Sequence, residues 1–272
     1  MIPNILSIAG SDPSGGAGIQ ADLKAISATG GYAMAALTAL TVQNTQGVSG
    51  VHPVPPEFVA AQIRAVFVDI RVDAVKIGML GTSAITEAVA AELRGREGLP
   101  VVLDPVMVAK GGDRLLAAEA VAALRGLVLP LATILTPNLP EAADLLGEAE
   151  VRDRAGMERQ ARALLTLGPR AVFLKGGHLA GEDCPDLFLT EGCAEWLTAP
   201  RNPTRNTHGT GCTLSSAIAT HLARTGDPRQ ACRAAKAYVS AAIAAADGLS
   251  VGHGHGPTDH FPMLRGPARP PA

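Results

Sequence analysis

Aromatic residues, an excess of either charge and long apolar runs are all scarce in this chain, and each shortage excludes a class of function. Aromatic residues form 3% of the 272 residues, which leaves few stacking surfaces for single-stranded nucleic acid. The formal net charge of −2 provides no basic field for nucleic acid or an anionic membrane. The apolar stretch within residues 1–10 is too short for a signal peptide or a membrane span, so we expect a cytoplasmic protein.

Cysteine and histidine patterns that bind metal are also lacking. The four cysteines form no Cys-x-x-Cys pair and no short cluster with histidine, which argues against structural zinc and against a disulfide framework. His178 and His208 stand alone in the sequence, and we assign them no metal role. Residues 252–272 are rich in glycine, proline and histidine, so we expect an irregular, flexible tail in which His253 and His255 likewise bind no metal.

Short apolar runs alternate with longer helical patterns along the chain, which predicts an α/β fold with a mainly parallel sheet. The apolar runs are continuous, as in strands covered by helices on both faces. No low-complexity linker interrupts the chain, so we expect one domain over residues 1–272, with an antiparallel hairpin at one sheet edge around residues 186–197. Predicted strands lie at residues 5–8, 36–42, 74–77, 101–103, 133–135, 171–174 and 187–190, and predicted helices at residues 16–28, 57–69, 83–94, 115–126, 139–146, 154–167, 211–224 and 228–247.

A glycine-rich segment follows the first predicted strand and contains a Gly-x-Gly-x-x-Ala match at residues 16–21. A dinucleotide site with this fingerprint also needs an acidic residue about 20 positions further on to hold the ribose. No Asp or Glu occurs between Asp22 and Glu57, so the dinucleotide hypothesis fails. Two interpretations stay open: an ordinary turn capped by Asp12 or Ser14, or a small polar ligand held by the acidic side chains.

A Walker A loop is excluded too, because it requires a Gly-Lys pair and the chain contains none. If the protein uses ATP, it binds the nucleotide through a different architecture. Polar and glycine-rich motifs follow several other predicted strands, at the sheet edge where α/β proteins bind ligands.

The side chains of these strand-end motifs suit a heterocycle, a metal ion and a phosphate. Gln43 offers a donor and an acceptor to the edge of a heterocycle, and Met79 offers an adaptable apolar wall. Asp104 and Glu141 suit Mg²⁺, which needs few protein carboxylates when phosphates are present. Lys175, followed by two glycines, suits phosphate contact. Each residue also has a purely structural interpretation as a turn residue, core filler or helix cap.

The segment at residues 206–215 is the strongest indication of a functional site in the sequence. Two glycines flanked by hydroxyl-bearing residues precede Cys212, where a helix is predicted to begin. A helix N-terminus presents unpaired N–H groups and partial positive charge to an anion. The same field favours a thiolate at Cys212. The segment therefore predicts an anion site with a candidate base or nucleophile.

Five motifs, in this order along the chain, together resemble the bacterial hydroxymethylpyrimidine/phosphomethylpyrimidine kinases of thiamine biosynthesis; they lie at residues 9–24, 76–80, 136–142, 175–178 and 206–213. The resemblance extends from residue 1 to about residue 260. It implies a three-layer ribokinase-like fold, with a central mostly parallel sheet flanked by helices, and usually a homodimer. It also implies ATP and Mg²⁺ as cofactors. The implied reactions phosphorylate the hydroxymethyl group of 4-amino-5-hydroxymethyl-2-methylpyrimidine and then the resulting monophosphate, giving the pyrophosphate.

The resemblance assigns roles to individual residues. Cys212 is implied as the catalytic base, where ribokinase relatives generally carry aspartate. The implied anion hole consists of the amides of Gly209, Thr210, Gly211 and Cys212. The implied pyrimidine pocket consists of Gln43 and Asp22 as polar contacts and of Gly10, Ala17, Met79 and Val106 as its walls. The implied ATP contacts are Lys175, Thr207 and Lys236, and the implied Mg²⁺ pair is Asp104 and Glu141.

Two other functions stay open on the sequence alone. A pyridoxine/pyridoxal kinase of the same branch can share the Gly-Thr-Gly-Cys ending, but such kinases tend to carry methionine where this chain has Gln43. A non-catalytic pyrimidine-binding or regulatory module is the other alternative. The intact Gly-Thr-Gly-Cys, Lys175 and Glu141 argue against it.

Overall fold

Two sheets make up the β structure of residues 1–107 and 118–264, which a computed structural model of the chain describes. The strands are β1 (Asn4–Ala9), β2 (Tyr32–Leu37), β3 (Ala39–Asn44), β4 (Gly47–Pro53), β5 (Ala74–Ile77), β6 (Val101–Leu103), β7 (Ile134–Leu135), β8 (Ala171–Leu174), β9 (Asp183–Leu189) and β10 (Ala194–Pro200). The large sheet has the order β10-β9-β8-β7-β6-β5-β1-β2, while β3 and β4 form a separate antiparallel pair. Only the pairings that involve β9 are antiparallel in the large sheet, which confirms the mainly parallel sheet and its edge hairpin.

Helices cover both faces of the large sheet. In the described residues they are α1 (Gly18–Ala28), α2 (Pro56–Asp69), α3 (Ser83–Leu93), α4 (Ala118–Ala123), α5 (Leu139–Leu146), α6 (Arg154–Leu165), α7 (Thr210–Thr225) and α8 (Pro228–Ala244). Neighbouring strand residues alternate between two apolar clusters: Ile134 packs with α1, α7 and α8, whereas Leu135 packs with α2 to α6. The clusters lie on opposite faces because successive strand side chains point in opposite directions. The three-layer α/β expectation is therefore confirmed.

The predicted strand at residues 36–42 is wrong as one element. The chain leaves the large sheet after Leu37 and enters the small sheet at Ala39. The residue between them, Thr38, is fully buried and its Oγ1 donates to the Met79 carbonyl at 2.6 Å. This break depends on a contact 41 residues away in sequence, so local apolar content does not reveal it. Strand β4 was not predicted, because it is largely exposed and has no continuous apolar run.

The predicted helix at residues 115–126 begins outside the described residues. From Ala118 it continues as α4, which is followed by a wider π-helical turn (Leu124–Val128) and then by a tighter 3-10 turn (Leu129–Leu131). Pro130 lies in that last turn, where its missing N–H prevents further α-helical hydrogen bonding.

Residues 252–260 are irregular, as expected, but they are packed against the rest of the molecule instead of forming a flexible tail. The His255 amide donates to the Thr45 carbonyl at 2.8 Å, and the His208 amide donates to the Gly256 carbonyl at 3.0 Å. Residues 256–260 are all buried. This segment thus connects the turn between β3 and β4 with the loop before α7. Among the described residues, no helix combines the length and the apolarity that crossing a bilayer requires.

Candidate active site

The candidate site lies at the carboxyl edge of the parallel strands. Loops after β1, β5, β6, β7 and β8 meet there because parallel strands share one carboxyl edge. The N-termini of α1 and α7 reach the same edge. The glycine-rich loop after β1 and the segment before α7 are in direct contact, since a side chain at Gly209 would overlap the Gly16 carbonyl.

The α7 N-terminus has the geometry of an anion hole. Gly209 has a left-handed φ of +75°, which turns the chain into the helix at Thr210. No side chain caps α7, so the amides of its first turn have no partner from the usual capping residues. The Thr210 amide makes a 3.3 Å bond to the Thr207 carbonyl, which leaves Gly211 and Cys212 as the better placed donors to an anion.

Cys212 lies in the first turn of α7, and the Gly18 amide at the start of α1 is close enough to its sulfur to lower the pKa of the thiol. Burial raises the pKa of the thiol to about 12, and the Lys76 ammonium opposes this rise without cancelling it. Desolvation therefore opposes the thiolate that the helix field favours at Cys212 in the protein without ligands.

Asp104, Glu141 and Lys175 form a compact charged group beside α7. The Lys175 Nζ lies 2.9 Å from Asp104 Oδ1 and 3.7 Å from Glu141 Oε2. Burial alone lowers the pKa of Lys175, but Asp104 and Glu141 raise it above its ordinary value, so the lysine is charged. A Cβ at Gly211 would lie 3.2 Å from Asp104 Oδ2, so only a bare backbone fits comfortably there.

Glu141 also begins α5. Its side chain accepts from the Asn138 amide at 2.7 Å, while its own amide donates to the Asn138 side chain at 2.8 Å. Burial raises the pKa of Glu141 to about 7, Asp104 adds to this effect, and Lys175 opposes it. The structural interpretation of Glu141 as a first-turn residue is thus correct, and its carboxylate still faces the charged group.

The two carboxylates fit Mg²⁺, which prefers hard oxygen ligands. No group of three or more acidic, histidine or cysteine side chains with metal-binding geometry occurs in the part of the chain that the structure describes. A pair of carboxylates is what an ion held mainly by nucleotide phosphates requires.

Gln43 meets an Asp12–His208 pair that the sequence did not single out as functional. The His208 Nε2 lies 2.8 Å from Asp12 Oδ2 and 3.4 Å from Gln43 Nε2. Asp12 also accepts from the amides of Ser14 and Ala17, so the capped-turn interpretation of this loop is correct. His208 was missed because the two partners lie 196 residues apart in sequence, and neither has a metal-ligand spacing.

The predicted pocket walls lie at this edge as well. A Cβ at Gly10 would overlap the Met79 side chain, so these two residues pack directly against each other. Ala17 precedes α1, and its amide is held by the Asp12 carboxylate. Val106 is half-buried and follows Asp104, whose carbonyl accepts from the Val106 amide at 2.8 Å.

The burial of Asp22 argues against its expected role as a polar contact to the substrate. The side chain is fully buried, and it accepts hydrogen bonds from Ser7 Oγ at 2.6 Å and Ser216 Oγ at 2.9 Å. Both of its oxygens lie 2.9 Å from the Nζ of Lys76, which is also fully buried. Asp22 therefore lies beneath the site as part of an internal ion pair. The role of Lys76 was not predicted, because nothing in the sequence distinguishes a buried lysine from a solvated one.

Lys236 and Thr207 are the other predicted ATP contacts. The Lys236 Nζ donates to Asp186 Oδ2 at 2.6 Å, and Asp186 Oδ1 accepts from the Gly176 amide at 2.9 Å. Lys236 is thereby tied to the residue that follows Lys175. Burial raises the pKa of Asp186, and Lys236 opposes that rise. Thr207 precedes α7, with its carbonyl engaged by the first helical residue.

Comparison with known proteins identifies the family of this chain. The family model described as phosphomethylpyrimidine kinase matches residues 12–259. The hydroxymethylpyrimidine/phosphomethylpyrimidine kinase of Escherichia coli K12 is 52% identical over 258 residues, which cover 95% of this chain and 97% of that protein.

Solved structures give the same fold. The pyridoxal kinase of Bacillus subtilis, in an ADP complex, has a TM-score of 0.90 and 38% identity over 97% of this chain and 100% of its own. The phosphomethylpyrimidine kinase of Clostridium difficile 630 has a TM-score of 0.78 and 41% identity over 89% of this chain and 99% of its own. The ribokinase-like fold is therefore confirmed.

Proposed function

This chain belongs to the phosphomethylpyrimidine kinase family, and on that premise we propose that it uses ATP to phosphorylate 4-amino-5-hydroxymethyl-2-methylpyrimidine and then its monophosphate, in thiamine biosynthesis. One observation carries the proposal. Gly211, in the first turn of the uncapped α7 N-terminus, lies beside the Asp104–Lys175 ion pair, so a candidate anion hole and a carboxylate suited to Mg²⁺ are neighbours. Phosphoryl transfer needs this combination, because its catalysis rests on positioning and charge stabilisation.

The charged group supplies the electrostatic part of the mechanism. Asp104 and Glu141 would hold Mg²⁺, which neutralises negative charge on the nucleotide phosphates when it is bound. Lys175, whose Nζ lies beside Asp104 and Glu141, would supply positive charge to a phosphate oxygen of the nucleotide. The amides of Gly211 and Cys212 stabilise charge on the transferred group.

Cys212 is proposed as the base for the first phosphorylation. A primary alcohol must lose its proton as it attacks, and Cys212 is in the first turn of α7, beside the amides that would hold the transferred group. The second phosphorylation needs no base, because the monophosphate is already anionic at neutral pH. The two steps therefore differ in their dependence on Cys212, although they share one pocket.

Phosphorylation of pyridoxal is the second candidate, and the high structural likeness to the Bacillus subtilis pyridoxal kinase favours it. Gln43 favours the pyrimidine instead, because its amide pairs with an aminopyrimidine edge. An ADP-release assay with each compound, and detection of the pyrimidine pyrophosphate by mass spectrometry, separates these activities. Turnover of pyridoxal alone would contradict the proposal, and no turnover of either compound would support the non-catalytic binding module.

We also propose a homodimer formed through the small sheet. Leu40 and Val42 lie on one face of β3 and are 49% and 65% exposed. Exposed apolar side chains on one face of a short sheet are a suitable surface for a second copy. Light scattering of the purified protein measures this, and a monomeric mass at micromolar concentration would contradict it. The cytoplasmic location and the single domain stay predictions.

A further inference from the structure

The buried ion pair of Asp22 and Lys76 has no role in the mechanism above, although it lies directly beneath the candidate site. Burying two charges costs free energy, and apolar residues of the same volume often stabilise a protein as well or better. The pair is nevertheless completely enclosed, with Ser7 and Lys76 side by side on β1 and β5. Burial alone would lower the pKa of Lys76, but Asp22 raises this pKa above its ordinary value, so the lysine is charged.

The hydrogen bonds of Asp22 connect α1 and α7 at matching positions. Asp22 lies four residues after Gly18, and Ser216 lies four residues after Cys212, which is about one helical turn in each case. The Asp22 Oδ1 accepts from Ser216 Oγ at 2.9 Å. One turn towards the site, the Gly18 amide of α1 is close enough to the Cys212 sulfur of α7 to lower the pKa of the thiol. The Asp22–Ser216 hydrogen bond therefore connects the two helices one turn below the point where Gly18 approaches Cys212.

Four charged groups from different elements face the Cys212 sulfur in the described structure: Lys76 from β5, Asp22 from α1, Asp104 after β6 and Lys175 after β8. Lys76 is the group that most lowers the pKa of Cys212, against the larger effect of burial. Its position is fixed, because Asp22 holds the ammonium with both oxygens. The Asp22 carboxylate therefore positions both the Lys76 ammonium and helix α7, which carries Cys212.

We propose that the Asp22–Ser216 hydrogen bond, anchored by Lys76, is a positioning lock that holds the Cys212 sulfur against the Gly18 amide for the first phosphorylation. The inference rests on the proposed function, since it assigns Cys212 to that step. Ser216 and Asp22 touch no reacting atom and act only through the placement of Cys212. The lock is not needed for the second phosphorylation, where no base is required.

The test compares Ser216→Ala with Ser7→Ala, a matched control that also removes one hydroxyl donor from Asp22 but leaves α7 attached. Each phosphorylation is measured separately, with the hydroxymethyl compound or with its monophosphate as substrate. We expect Ser216→Ala to lower kcat of the first step about tenfold with KM nearly unchanged, and to spare the second step. Ser7→Ala leaves both steps near wild type. Equal first-step losses in the two variants, or no loss in Ser216→Ala, would overturn the lock.

Alkylation of Cys212 separates the lock from the proposed function. Iodoacetamide labelling at pH 8, located by mass spectrometry, is expected to be about threefold slower at Cys212 in Ser216→Ala and unchanged in Ser7→Ala. An unchanged rate in Ser216→Ala contradicts the lock. If labelling slows but Cys212→Ala retains the full first-step rate, the lock stands and the role of Cys212 as base is wrong. In a double-mutant cycle, a first-step loss from Ser216→Ala that persists beside Cys212→Ala would also contradict the lock.

Discussion

Cys212 shows how two opposing effects decide the state of one residue. A helix N-terminus stabilises a nearby negative charge by at most about 2 kcal/mol. Burial raises the pKa of the thiol from 9.0 to about 12, which corresponds to about 4 kcal/mol against the thiolate. Burial therefore disfavours the thiolate in the protein without ligands. Lys76 and the Gly18 amide lower the pKa of the thiol, so they determine how readily Cys212 loses its proton during catalysis.

Replacing Cys212 tests its role directly. We expect Cys212→Ala to lower kcat of the first phosphorylation about 100-fold, because removal of a general base has effects of this size. The second phosphorylation, measured with the monophosphate, should change less than about threefold. In the wild type the first-step rate should rise with pH throughout the neutral range, since the thiolate fraction grows up to the pKa of about 12. Equal losses in both steps would show that Cys212 does not act as the base.

Gln43 should determine which heterocycle the protein selects. Gln43→Met removes the amide that can pair with an aminopyrimidine, so we expect kcat/KM for the pyrimidine to fall about 100-fold, mainly through KM. For pyridoxal, kcat/KM should fall by less than about threefold. Steady-state ADP release with both compounds measures the ratio, and Asn44→Ala, at an exposed neighbouring position, is the control. A similar loss for both compounds would assign Gln43 a structural role only.

At the scale of elements, the sequence predicts those helices and strands whose ends are determined by residues within or next to the element. Helix α5 agrees with the prediction at both ends, because Asn138 and Glu141 cap its start and Gly147, with φ of +70°, ends it. Strands β5, β6 and β8 also agree, since continuous apolar runs define them. The break at Thr38 and strand β4 could not be predicted, because a distant carbonyl and a partner strand define them.

The first turn of α7 offers a test in which stability and activity move in opposite directions. Gly211→Ala should stabilise the helix by up to about 1 kcal/mol, because alanine has the higher helix propensity. Its methyl group would lie 3.2 Å from Asp104 Oδ2 and 3.3 Å from Lys175 Nζ, so we expect at least about a tenfold loss of kcat.

Gly126→Ala is the control for this variant, since no atom lies within 4 Å of a Cβ at that glycine. It should leave kcat unchanged. Thermal unfolding and ADP release are measured on both proteins. Unchanged activity in Gly211→Ala would show that the close approach of α7 to the charged group is not needed.

At the scale of the whole molecule, the site depends on distances that the sequence does not contain. Motif residues such as Gln43 and Lys175 are recognisable because each follows a strand, and parallel topology brings strand ends together. The pairing of Asp12 with His208 and the enclosure of Asp22 follow from packing alone. For this reason the sequence predicts which strand ends carry the candidate site, but it does not predict the burial of Asp22 or the contact of His208 with Asp12.

The packed C-terminal segment gives the molecule a pH-dependent contribution to stability. His260 is buried, and its Nε2 lies 3.1 Å from the Thr213 hydroxyl, which itself donates to the Gly209 carbonyl. The imidazole therefore donates to Thr213 in its neutral form. Burial, together with the charge of Lys24, lowers the pKa of His260 from 6.5 to about 4. His260 thus binds a proton less readily in the folded protein than in the unfolded chain.

The sign of the resulting stability change is fixed by linkage. The contribution of His260 is complete above pH 6.5 and is lost progressively as the pH falls from 6.5 to about 4. Between pH 6.5 and pH 5 the loss is about 2 kcal/mol of the free energy of unfolding. We expect His260→Gln to retain the hydrogen bond to Thr213 and to lose about 2 kcal/mol less than wild type over this interval in urea unfolding. His52→Gln, at an exposed histidine, should follow wild type. Identical acid sensitivity of His260→Gln and wild type would show that the packed segment does not hold His260 in its neutral form.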